Sequence, residues 1–141
     1  MKYKKLLFSL LLIIFIPMNI FSNDYRITIE ITSVRVNRGN LIMAIYSNED
    51  DLKNSNAVKR LRLQSNNAIV LQNIDLPYGE YVFLVFQDLN NNGILDTNIL
   101  GFPKEPVGIS NYNGGIPSSF NSLKVLINSN TSRIKINLHN L

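Results

Sequence analysis

Beyond residue 22 the chain alternates apolar and polar positions in short runs with a period of two. Tyr25, Ile27, Ile29 and Ile31 interleave with Arg26, Thr28, Glu30 and Thr32, as in a strand that buries one face and wets the other. The turn cluster Asn37-Arg38-Gly39-Asn40 leads into the apolar run Leu41–Tyr46, and this run is expected to pair with the preceding strand as a hairpin. Asn48–Asn56 is polar, acidic and aperiodic, and reads as a surface loop. Val58–Leu63 suits either a short helix or a strand, with Lys59, Arg60 and Arg62 towards solvent in both. Ser65-Asn66-Asn67 turns the chain, Ala68–Leu71 reads as a short strand, and Leu76-Pro77-Tyr78-Gly79 marks a sharp reversal.

Glu80–Phe86 (EYVFLVF) is apolar on both faces, which predicts a position in the middle of a sheet. A polar loop follows over Asp88–Asn98, then an irregular stretch rich in Gly, Pro and Asn over Gly101–Pro117. Two strands close the chain, Leu123–Ile127 and Arg133–Leu138. In the second, Ile134, Ile136 and Leu138 alternate with Arg133, Lys135 and Asn137. Short strands, frequent turn signals and no long helical period predict an all-β fold, an antiparallel β-sandwich of about seven strands. Patterning leaves the strand order open.

The first 22 residues follow another rule. Lys2, Lys4 and Lys5 precede an uncharged, apolar run of 16 residues from Leu6 to Phe21, and a small residue, Ser22, ends it. That is the layout of a secretory signal peptide. The alternative, a retained anchor, asks for about 20 apolar residues. The reading is therefore a signal over 1–22, with the cut placed only to within a residue or two. A single domain follows over 23–141, periplasmic or secreted, with no membrane span after cleavage.

Removing the signal changes the charge. Three of the 14 basic residues lie in it and none of the 10 acids do, so eleven face ten and the net charge of +4 falls to +1. Little is left for the basic stripe a nucleic-acid partner needs. The chain has no cysteine, so an exported domain of this kind holds together by its core rather than by disulfides.

The most specific local pattern is Asp88-Leu89-Asn90-Asn91-Asn92-Gly93-Ile94-Leu95-Asp96. Oxygen donors at alternate positions followed by a glycine have the order of a calcium loop. In that order the ligands are Asp88, Asn90, Asn92, the Ile94 carbonyl and Asp96. The bidentate acid of the twelfth position is missing, since Ile99 stands there. A site with two carboxylates and two amides implies a Kd on the order of 10⁻⁴–10⁻³ M. The competing reading is a loop in which Asn and Gly serve turn geometry alone.

His139 is the one histidine, and its register puts it on the solvent side with Arg133 and Lys135. No Ser-His-Asp, Cys-His or zinc set can be assembled around it. Carboxylate-pair hydrolysis would need two of Glu80, Asp75, Asp96 and Glu105 at a set separation, and nothing in their spacing pairs them. No catalytic set is assigned. Gly101–Phe120 holds Glu105, Asn111 and Tyr112 among prolines and aromatics, and reads as a cover over the sheet or as a ligand surface carrying those three residues.

The segment LPYGEYVFLVFQDLNNNGILDTNILGFPKEPVGISN, followed by IPSSF, resembles the bacterial family catalogued as domain of unknown function 2141. The likeness rests on the Leu76–Tyr81 turn, the Asp88–Asn98 loop, Gly101–Pro106 and Gly108–Asn111. It implies export and a sandwich fold, and assigns no activity. Family members often carry His before the loop Asp, where this chain has Gln87. The Leu-Pro-Tyr-Gly-Glu-Tyr turn is also similar to that of prealbumin-like sandwiches, so the expected fold is prealbumin-like or immunoglobulin-like. The expected function is a binding or interaction module for an unidentified ligand or envelope partner, with a weak calcium site in its loop. A ligand-free envelope domain is the alternative, and a carboxylate-dependent hydrolase a third.

Overall fold

The computed structural model describes residues 23–112 and 119–140. Two sheets face each other. β1 (Asp24–Thr32) lies between β4 (Val70–Pro77) and β8 (Arg133–Asn137) in a three-stranded sheet. The second sheet runs β3 (Lys59–Gln64), β2 (Asn40–Tyr46), β5 (Gly79–Asp88) and β6 (Val107–Ile109), with β7 (Val125–Ile127) also on β5. The sandwich is as predicted, with eight strands among the described residues, and one ladder there departs from the antiparallel rule: β8 runs parallel to β1, Thr28 opposite Arg133 and Thr32 opposite Asn137.

The core between the sheets takes the alternate apolar positions. Ile27, Ile29, Ile31, Ile74, Leu76, Ile134 and Ile136 from the first sheet meet Leu41, Met43, Ile45, Phe83 and Val85 from the second. β1 and β2 do not form the expected hairpin. Residues 33–39 carry the chain from one sheet to the other, and each strand's pattern gives the reason. β1 is polar on one face and joins the sheet with a wet outer surface, whereas β2 is buried from Leu41 to Tyr46 and joins the sheet covered on both sides.

Further expectations resolve in structure. Val58–Leu63 becomes strand β3. The predicted Ala68–Leu71 strand starts later and runs to Pro77, where the reversal at Tyr78 leads into the other sheet. The polar loop after Ser47 contains α1 (Glu49–Lys53), capped by the Asn48 side chain, which accepts from the Asp51 N–H. The predicted strand from Leu123 is instead the end of α2 (Phe120–Leu123) followed by β7. Phe120 and Leu123, three apart, share a buried face on that helical turn.

β5 is central, as its sequence predicts. Its far edge pairs β6 at Leu84–Phe86 and β7 at Gly79–Tyr81. Ser110 closes the gap between them. The Phe83 N–H donates to its hydroxyl at 3.0 Å, and that hydroxyl donates to the Leu123 carbonyl at 2.7 Å. Ile42, Ala44, Tyr46, Val82 and Phe86 point out of the other side of this sheet. Val107 of β6, opposite Phe86, joins that face, and Phe120, Leu123, Leu52 and Leu95 cover it.

Candidate functional site

Asp88 ends β5 opposite Asn40 of β2, so the loop leaves the sheet from a fixed frame. Gly39 lets it come close: at φ +63°, a Cβ there would sit 1.9 Å from the Asp88 carbonyl oxygen. Gln87, fully buried, fixes the crossing segment. Its Oε1 accepts from the Arg35 N–H at 2.9 Å, and its Nε2 donates to the Arg35 and Arg38 carbonyls at 2.6 Å each. The residue that departs from the family's histidine thus serves a structural contact.

The Asp88 side chain is 0% exposed. Its Oδ1 accepts from the Asn92 N–H at 3.0 Å and its Oδ2 from the Gly93 N–H at 2.8 Å. The Arg62 guanidinium stands 3.9 Å from Oδ2, close enough to offset part of the cost of a buried charge. Asn90 and Asn92 turn their amides onto Asp96. Asn90 Nδ2 donates to Asp96 Oδ2 at 2.6 Å, and Asn92 Nδ2 reaches Oδ1 at 3.3 Å. The Ile94 N–H donates to Asn92 Oδ1 at 2.8 Å, and the Ile94 side chain is exposed. Gly93, at φ +80°, supplies the left-handed turn in the middle.

Glu105, expected on a ligand surface, is 4% exposed and belongs to the loop. Its Oε1 accepts from the Leu89 N–H at 2.8 Å and its Oε2 from the Asp96 N–H at 3.2 Å. One carboxylate thereby clasps both ends of the loop. Only its place in the Gly101–Pro106 segment hinted at this, because residues 89 and 105 are far apart in sequence. Beyond Asp96 a tight turn follows, in which the Asn98 N–H donates to the Phe102 carbonyl at 2.8 Å. Its tip exposes Leu100 and Phe102, and Ile99 at 104%.

Asn111 and Tyr112 lie elsewhere. They line a depression of about 270 Å³ with Lys135, Asn137 and His139. Asn111 Nδ2 donates to the Lys124 carbonyl at 2.7 Å, and the Tyr112 ring stands edge-on to His139 with centroids 6.2 Å apart. The structure therefore brings Glu105 to the loop and separates it from the other two surface candidates.

All candidate loop donors are oxygens, the set a hard cation takes. Both Asp88 oxygens already accept an N–H, yet a carboxylate has about four lone-pair sites. Among the described residues no group of three or more His, Cys, Asp and Glu side chains gathers as a metal site would. The loop offers two carboxylates and two amides, and the third carboxylate, Glu105, faces backbone N–H groups. The acids Glu80 and Asp75 are engaged with Lys124 at 2.7 Å and Arg26 at 2.8 Å on the surface.

Among the described residues no helix is long and apolar enough to cross a membrane; the expected signal, 1–22, lies outside those residues. No curated protein and no solved structure matches the chain. Residues 29–135, the greater part of the sandwich and the whole Asp88–Glu105 assembly, match the family described as an uncharacterized protein conserved in bacteria (DUF2141), and the chain belongs to that family.

Proposed function

We propose that this protein is an exported binding module whose Asp88–Asp96 loop is ordered by a calcium ion. The supporting observation is the convergence of Asn90 and Asn92 on Asp96 beside a fully buried Asp88. The two amides supply to Asp96 the partial positive charge that a bound cation would replace. Asp88, Asn90, Asn92, Asp96 and the Ile94 carbonyl would hold the ion. It would add fixed positive charge to a loop whose only ion-pair partner among the described residues is Arg62. Ordering that loop steadies Glu105 through the Asp96 N–H, and so the segment leading into β6. Export rests on the charged, then apolar, amino-terminal pattern.

Calcium titration of the melting temperature, with and without chelator, tests the reading. A ligand that binds only the folded state adds about 2.7 kcal/mol at a hundredfold excess over Kd. The rise is expected to vanish in Asp96→Asn, which keeps the shape and removes one charge. An unchanged melting temperature at millimolar calcium would reduce the loop to a turn and favour the ligand-free envelope domain.

A further inference from the structure

A second site lies on the covered face of the larger sheet. Between that face and the wall made by Gly93–Leu95 runs a groove of about 280 Å³, just under the roughly 300 Å³ at which small-molecule sites begin. Ala44, Leu84 and Phe86 form its floor, Leu95 its wall, and Tyr46, Arg60 and Ser55 supply its polar side chains. The register places them together: Arg60 is opposite Ala44 on β3, and Leu84 is opposite Ala44 on β5.

Two of these side chains point to the occupant. Tyr46 is 4% exposed, and its hydroxyl has no hydrogen-bond partner among the described residues. No fully enclosed side-chain polar atom there lacks a partner, so the hydroxyl opens into the groove. Arg60 forms no ion pair among the described residues, although Arg26, Arg62 and Arg133 each do. Burial raises the Tyr46 pKa above the ordinary phenol value and keeps the hydroxyl protonated, and the nearby Arg60 charge offsets part of that rise. A phenol and a guanidinium are both donors at neutral pH. What satisfies both is an anionic acceptor, and the half-buried Leu84 and Leu95 offer apolar surface beside it for a short apolar body.

We propose that this groove binds a free small carboxylate with an aromatic or short aliphatic tail, its head group between Tyr46 and Arg60. The proposal gives the binding-module reading a ligand class and rests on that reading for function. It does not depend on the metal, although Gly93–Leu95 forms one wall.

Titration of the isotopically labelled full chain with 4-phenylbutyrate, followed by amide chemical shifts, tests it. Saturable shifts are expected at Ala44, Leu84, Phe86 and Leu95. Arg60→Gln is expected to weaken binding by about tenfold or more, the scale of a charge-assisted hydrogen bond. The neutral 4-phenylbutyramide should be weakened by a similar factor. Tyr46→Phe should cost a few-fold, with an unchanged melting temperature showing that the fold survives. Absent or non-saturable shifts, shifts centred on Ile99–Phe102, or equal binding of acid and amide would each overturn the proposal. Repeating the titration in chelator separates the two readings. Binding that persists without calcium supports the groove whatever the metal result, and a calcium-dependent melting temperature with no binding overturns the groove alone.

Discussion

The two sheets carry opposite outer faces. On the three-stranded sheet, Arg26, Thr28, Glu30 and Thr32 point outwards and meet Asp75, Asn73, Arg133 and Asn137 across the strands. On the larger sheet the same positions hold Ile42, Ala44, Tyr46, Val82 and Phe86. A face of the first kind is finished once water wets it. A face of the second kind needs a third layer, as apolar surface must be buried against something. Here that layer is two short helices and irregular chain, and both proposed sites lie where it meets the sheet. Chemistry in this molecule gathers where regular structure is covered by irregular structure.

The comparison breaks most visibly in the two phenylalanines of β5. Phe83 lies between the sheets with no exposure, and Phe86 lies under the cover. Phe83→Ala is expected to cost about 3–5 kcal/mol, with Phe86→Ala at or below the lower end of that range, because the cost depends on how far the surroundings can collapse. Urea denaturation midpoints at constant m-value measure both. Equal costs would mean that the third layer is as rigid as the core, and the distinction between them would fall.

Ser110 sharpens the same point. Its hydroxyl joins β5, the chain just after β6 and the end of α2. Ser110→Ala leaves the Phe83 N–H and the Leu123 carbonyl without that partner, at about 1–3 kcal/mol for buried unsatisfied groups. Hydrogen exchange should quicken around Phe120–Leu123 while β1 and β4 keep their protection. A uniform loss of protection would show that the cover and the sandwich open together.

The wet face was legible in the sequence and the covered face only in part. Strict alternation in β1 and β8 gave both strands and their inward residues, since one polar face leaves one register. It gave no pairing, and β1 turned out to lie parallel to β8 rather than beside β2, because both β1 and β2 satisfied the same short-range hairpin rule. The loop was legible as far as Asp88, Asn90, Asn92 and Asp96, whose spacing is local. The Glu105 clasp was not, and Tyr46 and Arg60 were hidden for the same reason. Tyr46 ended an apolar run and Arg60 sat among solvent-facing cations, and only the β2–β3 register, with Arg60 opposite Ala44, brings Arg60 to the strand position two residues from Tyr46.

Two carboxylates, one on each kind of face, give the finest test. Glu49 accepts from the Phe120 N–H at 2.7 Å and pairs with Lys53 at 3.2 Å, and these contacts, the N–H first, lower its pKa. Asp75 is lowered chiefly by its hydrogen bond from Arg26. For both, the folded value lies below the unfolded one. The stabilising contribution is therefore present above the unfolded value and fades as pH falls through the folded one. What is lost differs. Protonating Glu49 loosens the tie between α1 and α2, so the protection factor of the Phe120 amide should drop as pH falls below the ordinary carboxylate range. Glu49→Gln, an acceptor without charge, should make that protection factor insensitive to acid. Protonating Asp75, or replacing it in Asp75→Asn, removes an exposed pair of the kind that contributes little. The eight-residue ladder between β1 and β4 stays intact, so the urea midpoint should not move. An acid-dependent loss of protection along β1 matching that at Phe120 would show that the wet face leans on its ion pairs as much as the cover does, and the contrast between the faces would be one of composition alone.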